Sequence, residues 1–184
     1  MNDKAHTRTI SISTIDKKDH IEVTGTLTDI RHCDYYLLNG QHRDGGILHD
    51  MSLVVKLSVP DLTITDIEAK LCTAPRDDCF KTDETVKAFI GLQVKGGFSS
   101  AVRKAMTSPQ GCTHLNHLMI TMAPAILQGY WAVQAQNKPG KKLEGKSRDR
   151  AQMMTAFLKD SCYAWREDGE AFQRLIALMN KSQD

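Results

Sequence analysis

The sequence predicts an α+β fold in which an antiparallel sheet of about four strands is followed by helices that pack on it. In the N-terminal part, apolar and polar residues alternate with a period of two, which is typical of strands with one buried face. After Pro75 the apolar residues recur at helical spacing instead. Strands first and helices afterwards is the order expected of an α+β domain. At 184 residues the chain is long enough for one buried core, and residues 1–184 are predicted to form a single domain.

Four segments carry the strand pattern and suggest an antiparallel meander. Their apolar positions are Ile10 and Ile12, then Ile21, Val23 and Leu27, then Met51, Leu53, Val55, Leu57 and Val59, and finally Leu62, Ile64 and Ile67. Pro60-Asp61 turns the chain between the third and fourth segments. Residues 32–50 contain Asn39-Gly40 and Gly45-Gly46, so we expect a loop or a wide hairpin connection there.

The helical part begins with a segment around Val86 and a short helix that Ser99 or Ser100 can cap. A longer helix is predicted from Thr113, although Pro124 should kink or divide it because proline lacks the backbone donor. Its apolar side holds Leu115, Leu118, Met119, Met122 and Ile126. Residues 136–150 are polar and basic and are predicted to be an exposed loop, and two more helices are expected after it.

Composition excludes several classes of protein. Lys and Arg number 24 against 22 Asp and Glu, a net charge of +2, which gives no electrostatic reason to expect nucleic acid as a partner. The polar start carries no apolar core of a secretory signal, and no apolar stretch is long enough to span a bilayer, so we expect a cytoplasmic protein with no membrane partner. The phosphate-binding glycine motifs are missing as well, which argues against a nucleotide cofactor.

The turn Gly111-Cys112-Thr113-His114-Leu115 is the sharpest candidate for a functional site. Cys112 comes just before a predicted helix, where free backbone N–H groups favour a thiolate, so it could be a nucleophile or a soft metal ligand. A small buried hydrophobe under the helix start is the alternative. His114 is close enough to the turn to remain a candidate ligand, whereas His117 is expected on the solvated side of the helix.

His49 and Asp50 stand just before the third predicted strand, where side chains can reach a cleft. An imidazole and a carboxylate can ligate a metal or serve as an acid and base pair, although Asp50 could simply bind turn amides. Cys79 lies in the crossing from the sheet to the helices, a kind of loop that often presents site residues. The chain has five cysteines in all, including Cys79 and Cys112, and it has no CxxC pair. We therefore expect free thiols or metal ligands rather than disulfides.

Several of these motifs together resemble a bacterial family known only as a domain of unknown function (number twenty-eight eighty-nine). The matching features are Leu48-His49-Asp50-Met51, Pro75 with Cys79, Gly91, Gly96-Gly97-Phe98, Gly111-Cys112-Thr113-His114-Leu115 and Asp160-Ser161-Cys162-Tyr163-Ala164-Trp165. The Gly-Cys-Thr-His-Leu signature is the most specific of them. The resemblance implies no established activity.

The order of elements is also similar, more weakly, to the NifU-type iron–sulfur scaffold proteins. That family places Cys-Gly-Asp before a strand, a second cysteine after the sheet and a third at the start of a late helix. The resemblance implies that His49 and Asp50 take the first place, Cys79 the second and Cys112 the third. Because His49 replaces the first cysteine, a simpler site of mixed ligands suits this chain better than a cluster.

Three hypotheses for function follow. The leading one is a metal-binding domain that holds Zn or Fe through His49, Asp50, Cys79, Cys112 and His114. The second is an enzyme that acts on an acyl thioester or an aromatic catabolic intermediate, with Cys112 or the His49-Asp50 pair as reactive groups. The third is a binding or assembly protein without chemistry. The expected partner is a metal or a small molecule of unknown identity, and self-association into a homo-oligomer is left open.

Overall fold

Four long antiparallel strands form the main sheet, as the computed structural model describes it for residues 4–106, 111–136 and 155–181. The strands are β1 (His6–Asp16), β2 (His20–Arg31), β3 (Tyr35–Tyr36), β4 (His42–Arg43), β5 (Gly46–Ser58) and β6 (Ile64–Thr73). The main sheet has the order β1-β2-β5-β6, while β3 and β4 pair with each other in a small separate hairpin. The α+β prediction and its four-stranded antiparallel sheet are therefore confirmed.

The alternating pattern of the sequence decides which face of the sheet is buried. In β2 every second residue from Ile21 to Asp29 is buried, and in β5 the same holds from His49 to Leu57. Successive side chains of a strand point to opposite faces, so these two sets line one face. The apolar members of this face form the core of the sheet.

The helices follow the sheet in the chain. They are a 3₁₀-helical segment (Asp77–Phe89), α1 (Phe98–Ala105), α2 (Thr113–Ala135), a 3₁₀ turn (Tyr163–Trp165) and α3 (Glu170–Lys181). Residues 155–158 are helical as well. Pro124 lies inside α2 and does not divide it, so of the two expected effects only a kink stays a prediction.

Helix α2 packs against β1, β2 and β5. Two glycines allow it to approach closely: a Cβ at Gly25 of β2 would lie 2.6 Å from the Sδ atom of Met122, and a Cβ at Gly129 of α2 would collide with the side chain of Thr14. The side chains that α2 buries are Leu115, Leu118, Met119, Met122, Ala123, Ile126 and Tyr130. This close packing fixes the position of the first turn of α2 relative to the sheet.

The contacts within the chain separate residues 1–137 from residues 138–184. In the second unit Leu158 and Phe172 are buried. The exposed loop predicted for residues 136–150 lies, except for Gln136, outside the described residues, and the single-domain assignment stays a prediction. Within the described part of the chain, no helix combines the length and the apolar character that crossing a membrane requires.

Residues 32–45 connect the antiparallel strands β2 and β5, which agrees with the wide hairpin connection expected there, and they contain the small hairpin of β3 and β4. The predicted end of this connection at residue 50 was wrong, because β5 already begins at Gly46. His49 and Asp50 therefore lie inside β5 rather than before it. Their side chains must then point to opposite faces of the sheet.

Candidate functional site

A row of three polar residues crosses the buried face of the sheet near one end. Arg8 of β1 pairs with Asp29 of β2, and Asp29 pairs with His49 of β5. The next row along the same face is apolar and consists of Ile10, Leu27 and Met51. Asp29 is 1% exposed and His49 is 8% exposed. Because a buried charge is costly unless it is paired, this row depends on its own hydrogen bonds.

The carboxylate of Asp29 has four donors around it. Arg8 donates from Nε to Oδ1 and from Nη2 to Oδ2, both at 2.7 Å. Nδ1 of His49 lies 2.8 Å from Oδ2, and Nε2 of His6 lies 3.1 Å from Oδ1. A carboxylate offers about four lone-pair positions. The hydrogen-bonding capacity of Asp29 is therefore fully used.

The charges of this row stabilise each other. The Arg8 hydrogen bonds hold the pKa of Asp29 far below its ordinary value of 3.8, although burial acts in the opposite direction, and the hydrogen bond with His49 lowers it further. The hydrogen bond with Asp29 in turn raises the pKa of Arg8. Asp29 and Arg8 are thus an ion pair throughout the physiological pH range. In the tautomer of His49 with its proton on Nδ1, this nitrogen donates a hydrogen bond to Oδ2 of Asp29, and Nε2 has a lone pair.

A bulge in β5 lies directly beside His49. The register shifts here, so that Asp29 pairs with His49 but the next residue, Ile30, pairs with Ile47. Leu48 is left opposite no residue of β2. Bulges commonly lie next to sites, because they redirect the side chains around them.

His114 of α2 lies over His49. Their ring centroids are 3.9 Å apart and the ring planes are tilted by 36°. Burial lowers the pKa of His114, and the neighbouring charges of His49 and Arg8 lower it further, with Asp29 opposing them. At neutral pH the imidazole of His114 is therefore uncharged, which is the form that binds metals.

Cys112 is the N-cap residue of α2, and its side chain makes no capping hydrogen bond. Its Sγ atom lies 4.0 Å from Nδ1 of His114. The thiol is half-buried. The thiol therefore lies near the ring of His114, and its sulfur is not engaged in a capping hydrogen bond.

A cavity of about 490 Å³ opens beside the polar row. The residues that line it are Ala5, His6, Arg8, Asp29, Arg31, Cys33, Tyr35, Leu48, His49 and His114. The guanidinium carbon of Arg31 lies 4.0 Å from the centroid of the Tyr35 ring. The lining thus combines charged and titratable side chains with a few apolar ones.

Comparison with known families gives one match. The model of the family described as "Protein of unknown function (DUF2889)" matches residues 6–128. The chain belongs to this family. All residues that line the cavity lie within the matched range except Ala5, whereas the motif Asp160–Trp165 lies beyond it. Neither the curated proteins nor the solved structures contain a match, so the similarity to iron–sulfur scaffold proteins stays a prediction.

In this DUF2889 chain only part of the expected ligand set comes together. His49 and His114 meet, and Cys112 lies near His114. Asp50 does not join them, because it follows His49 in the strand and therefore points to the other face, where it accepts a 3.4 Å hydrogen bond from Thr28. Cys79 lies in the 3₁₀-helical segment and belongs to neither of the two clusters of metal-ligating groups among the described residues.

Asp29, Arg8 and His6 were missed by the sequence analysis. A usable signal existed, because Asp29 follows Leu27 at the inward period of β2 and is thus a charged residue at a core position. Arg8 continues the period of Ile10 and Ile12 in β1, although its own position is exposed. The partners themselves could not be read from the sequence, since the pairing depends on strand register.

The second cluster consists of Asp34, His42 and Asp44 near the hairpin of β3 and β4. All three residues are exposed, and His42 lies 3.4 Å from Asp34 and 3.8 Å from Asp44. Exposed ion pairs of this kind contribute little to the stability of the fold and are common on protein surfaces. We assign no site to this cluster.

Proposed function

We propose that the protein binds a Zn or Fe ion through His49 and His114, with Cys112 as a third ligand. The observation that carries the proposal is the cluster of Asp29, His49 and His114, whose ligand atoms lie within 4.8 Å of one another. Two nitrogen ligands on one tetrahedral ion lie roughly 3.4 Å apart. Binding of an ion would therefore require the two stacked rings to rotate until a nitrogen of each points at it. Two imidazoles and a thiolate are ligands that Zn and Fe accept.

Asp29 acts in this proposal by orienting His49 rather than by binding the ion. Its two oxygens are already occupied by four donors, and to ligate the ion it would have to release one of them. The hydrogen bond between Nδ1 of His49 and Asp29 leaves Nε2 with the lone pair that a ligand needs. Carboxylate groups commonly hold metal-binding histidines in this way.

Cys112, at the start of α2, is the third metal ligand in this proposal. In a tetrahedral site with Zn–N bonds of about 2.1 Å and Zn–S bonds of about 2.3 Å, the nitrogen and the sulfur lie roughly 3.6 Å apart. The 4.0 Å between Sγ of Cys112 and Nδ1 of His114 is close to that separation. A solvent molecule or a substrate would occupy the fourth position, as in catalytic metal sites.

The proposal is tested by elemental analysis of protein purified without a His tag and without oxygen, followed by titration with Zn and Fe(II). The informative variant is His114→Phe, because it keeps a ring against His49 and removes the ligand nitrogens. The matched control is His117→Phe, one turn further along α2 at an exposed position. We expect about one ion per chain in the wild type and in the control, and at least a hundredfold weaker binding in His114→Phe.

The measurements that contradict the proposal are equally specific. Wild-type protein that is folded but binds neither metal would refute it. Equal metal affinity in His114→Phe and the wild type would refute it as well, because the ion would then lie elsewhere. Cys112→Ser tests the third ligand: unchanged metal content with altered stability would show that Cys112 supports the turn and does not bind the ion.

A second candidate function is acid–base or acyl chemistry without a metal. The observation that favours it is the 2.8 Å hydrogen bond between Asp29 and His49 at the wall of a cavity. A carboxylate–imidazole pair is a common general base, and Cys112 could form a covalent intermediate with an acyl thioester. Hydrolysis of the uncharged thioester S-phenyl thioacetate that survives chelation but is lost in Cys112→Ala would favour this function over metal binding.

A further inference from the structure

We propose that the cavity beside the polar row binds a small carboxylic acid with an apolar body, and that Arg31 holds its carboxylate. The proposal deepens the proposed function and rests on it for the position of the ligand's reacting end beside the ion. It names the chemical class of ligand that the walls of the cavity suit.

The cavity has more cations than anions among its fixed charges. The groups with permanent charge are the guanidinium groups of Arg8 and Arg31 and the carboxylate of Asp29. Arg8 directs two of its N–H groups at Asp29, so that these two charges compensate each other. In the described part of the chain, no carboxylate lies within ion-pair distance of Arg31. An anionic ligand would supply the missing countercharge.

Arg31 is also held in a geometry that suits a carboxylate. Its guanidinium group lies over the ring of Tyr35 at 4.0 Å. Stacking uses the face of the guanidinium and leaves the N–H groups at its edge free to donate. A planar pair of N–H donors matches the two oxygens of a carboxylate. Arg31 is the last residue of β2, so the backbone that carries it is fixed in the sheet.

Leu48, Ala5 and the ring of Tyr35 also line the cavity and provide apolar surface for the body of such a ligand. The volume of about 490 Å³ is within the range of small-molecule sites, roughly 300 to 1,000 Å³. Because His49 and His114 face the same cavity, a ligand anchored at Arg31 would extend toward the proposed metal site.

The test uses benzoate as the probe, benzamide as its neutral counterpart and inorganic phosphate as a second anion. Binding is measured by ligand-observed NMR and calorimetry on wild-type protein, Arg31→Met and Arg31→Lys. Arg103→Met is the matched control, because Arg103 is exposed on α1 and does not line the cavity. Metal content and thermal unfolding are measured for every variant.

We expect benzoate to bind and benzamide to bind much more weakly. Arg31→Met should weaken benzoate binding by about tenfold or more, Arg31→Lys by less, and Arg103→Met not at all. Equal benzoate affinity in Arg31→Met and the wild type would overturn the proposal, as would tighter binding of phosphate than of benzoate. The metal content reports separately on the proposed function: benzoate binding that depends on Arg31 in a protein without metal affinity would refute the metal site and support the carboxylate site.

Discussion

Asp29 and Asp61 lie near opposite ends of the sheet, and the negative charge of each is stabilised by a different kind of hydrogen-bond donor. Hydrogen bonds hold the pKa of each below the ordinary value of 3.8, although desolvation opposes this. Asp61 accepts from two neutral hydroxyl groups close in the chain, those of Ser58 at 2.7 Å and Thr63 at 2.6 Å. Asp29 accepts from charged or titratable groups that lie 20 to 23 positions away in the sequence.

The difference between them separates a structural carboxylate from a candidate functional one. Asp61 closes the turn between β5 and β6, and its backbone oxygen accepts a further 2.9 Å hydrogen bond from Gln93. Every one of its contacts serves to fix the chain. Asp29 instead orients an imidazole that lines a cavity, so its hydrogen bonds position a group that can still bind something else.

The largest expected effect concerns the removal of each carboxylate in turn. Asp29→Ala leaves Arg8 and His49 without their partner and should lower the free energy of unfolding by about 2 to 4 kcal/mol. We expect a loss in the lower part of this range, because the Arg8 side chain is 35% exposed and water screens its charge. Asp61→Ala removes hydrogen bonds between uncharged donors and a turn carboxylate and should cost about 1 to 2 kcal/mol. Urea unfolding at neutral pH measures both.

The same pair of variants should differ in metal binding. Asp29→Ala is expected to weaken it about 10- to 100-fold, the usual effect of removing a carboxylate that supports a metal-binding histidine. Asp61→Ala should leave it unchanged. Comparable metal affinities in the two variants would mean that Asp29, too, is only structural.

The sequence allowed the sheet and the order of the helices to be predicted, because the alternation of residues such as Val23 and Leu27 reports burial directly. It also singled out His49 and His114. It could not pair them with Asp29, because that contact depends on the register between β2 and β5. Asp50 was chosen instead of Asp29 because adjacency in sequence was taken for adjacency in space, and in a strand neighbouring side chains diverge.

A smaller change in stability is expected when the whole polar row is replaced by the residue types of the apolar row beside it. The variant combines Arg8→Ile, Asp29→Leu and His49→Met, which repeats Ile10, Leu27 and Met51. Replacing all partners of a buried ionic group by apolar residues is often neutral or stabilising. Because the Arg8 side chain is 35% exposed and His6 loses its hydrogen bond with Asp29, we expect the free energy of unfolding to change by no more than about 1 kcal/mol. Metal binding should disappear.

This triple variant tests whether Arg8, Asp29 and His49 mainly stabilise the fold or mainly serve a functional site. Folding with unchanged or higher stability and no metal binding would assign the row to function. A loss of more than about 3 kcal/mol would contradict that assignment, because it would show that the ionic groups fit this position better than apolar ones do. Calorimetric unfolding and metal titration together decide the question.

The smallest expected effect is the acid sensitivity that Asp61 contributes. The hydroxyl groups of Thr63 and Ser58 lower the pKa of Asp61 in the folded protein, whereas the unfolded chain has the ordinary value of 3.8. The unfolded state therefore takes up a proton first as the pH falls. The contribution of Asp61 to stability is fully present above about pH 5 and is lost progressively below the ordinary value.

Asp61→Asn should consequently be less stable than the wild type at pH 7, with the difference shrinking as the pH approaches 3. Urea unfolding between pH 7 and pH 3 measures this change. Asp44→Asn is the control, because the Asp44 side chain is 90% exposed and should show no such convergence. A stability difference for Asp61→Asn that stays constant across this range would mean that its hydroxyl partners hold the protonated carboxyl as firmly as the ionised one, and Asp61 would then contribute through turn geometry instead of charge.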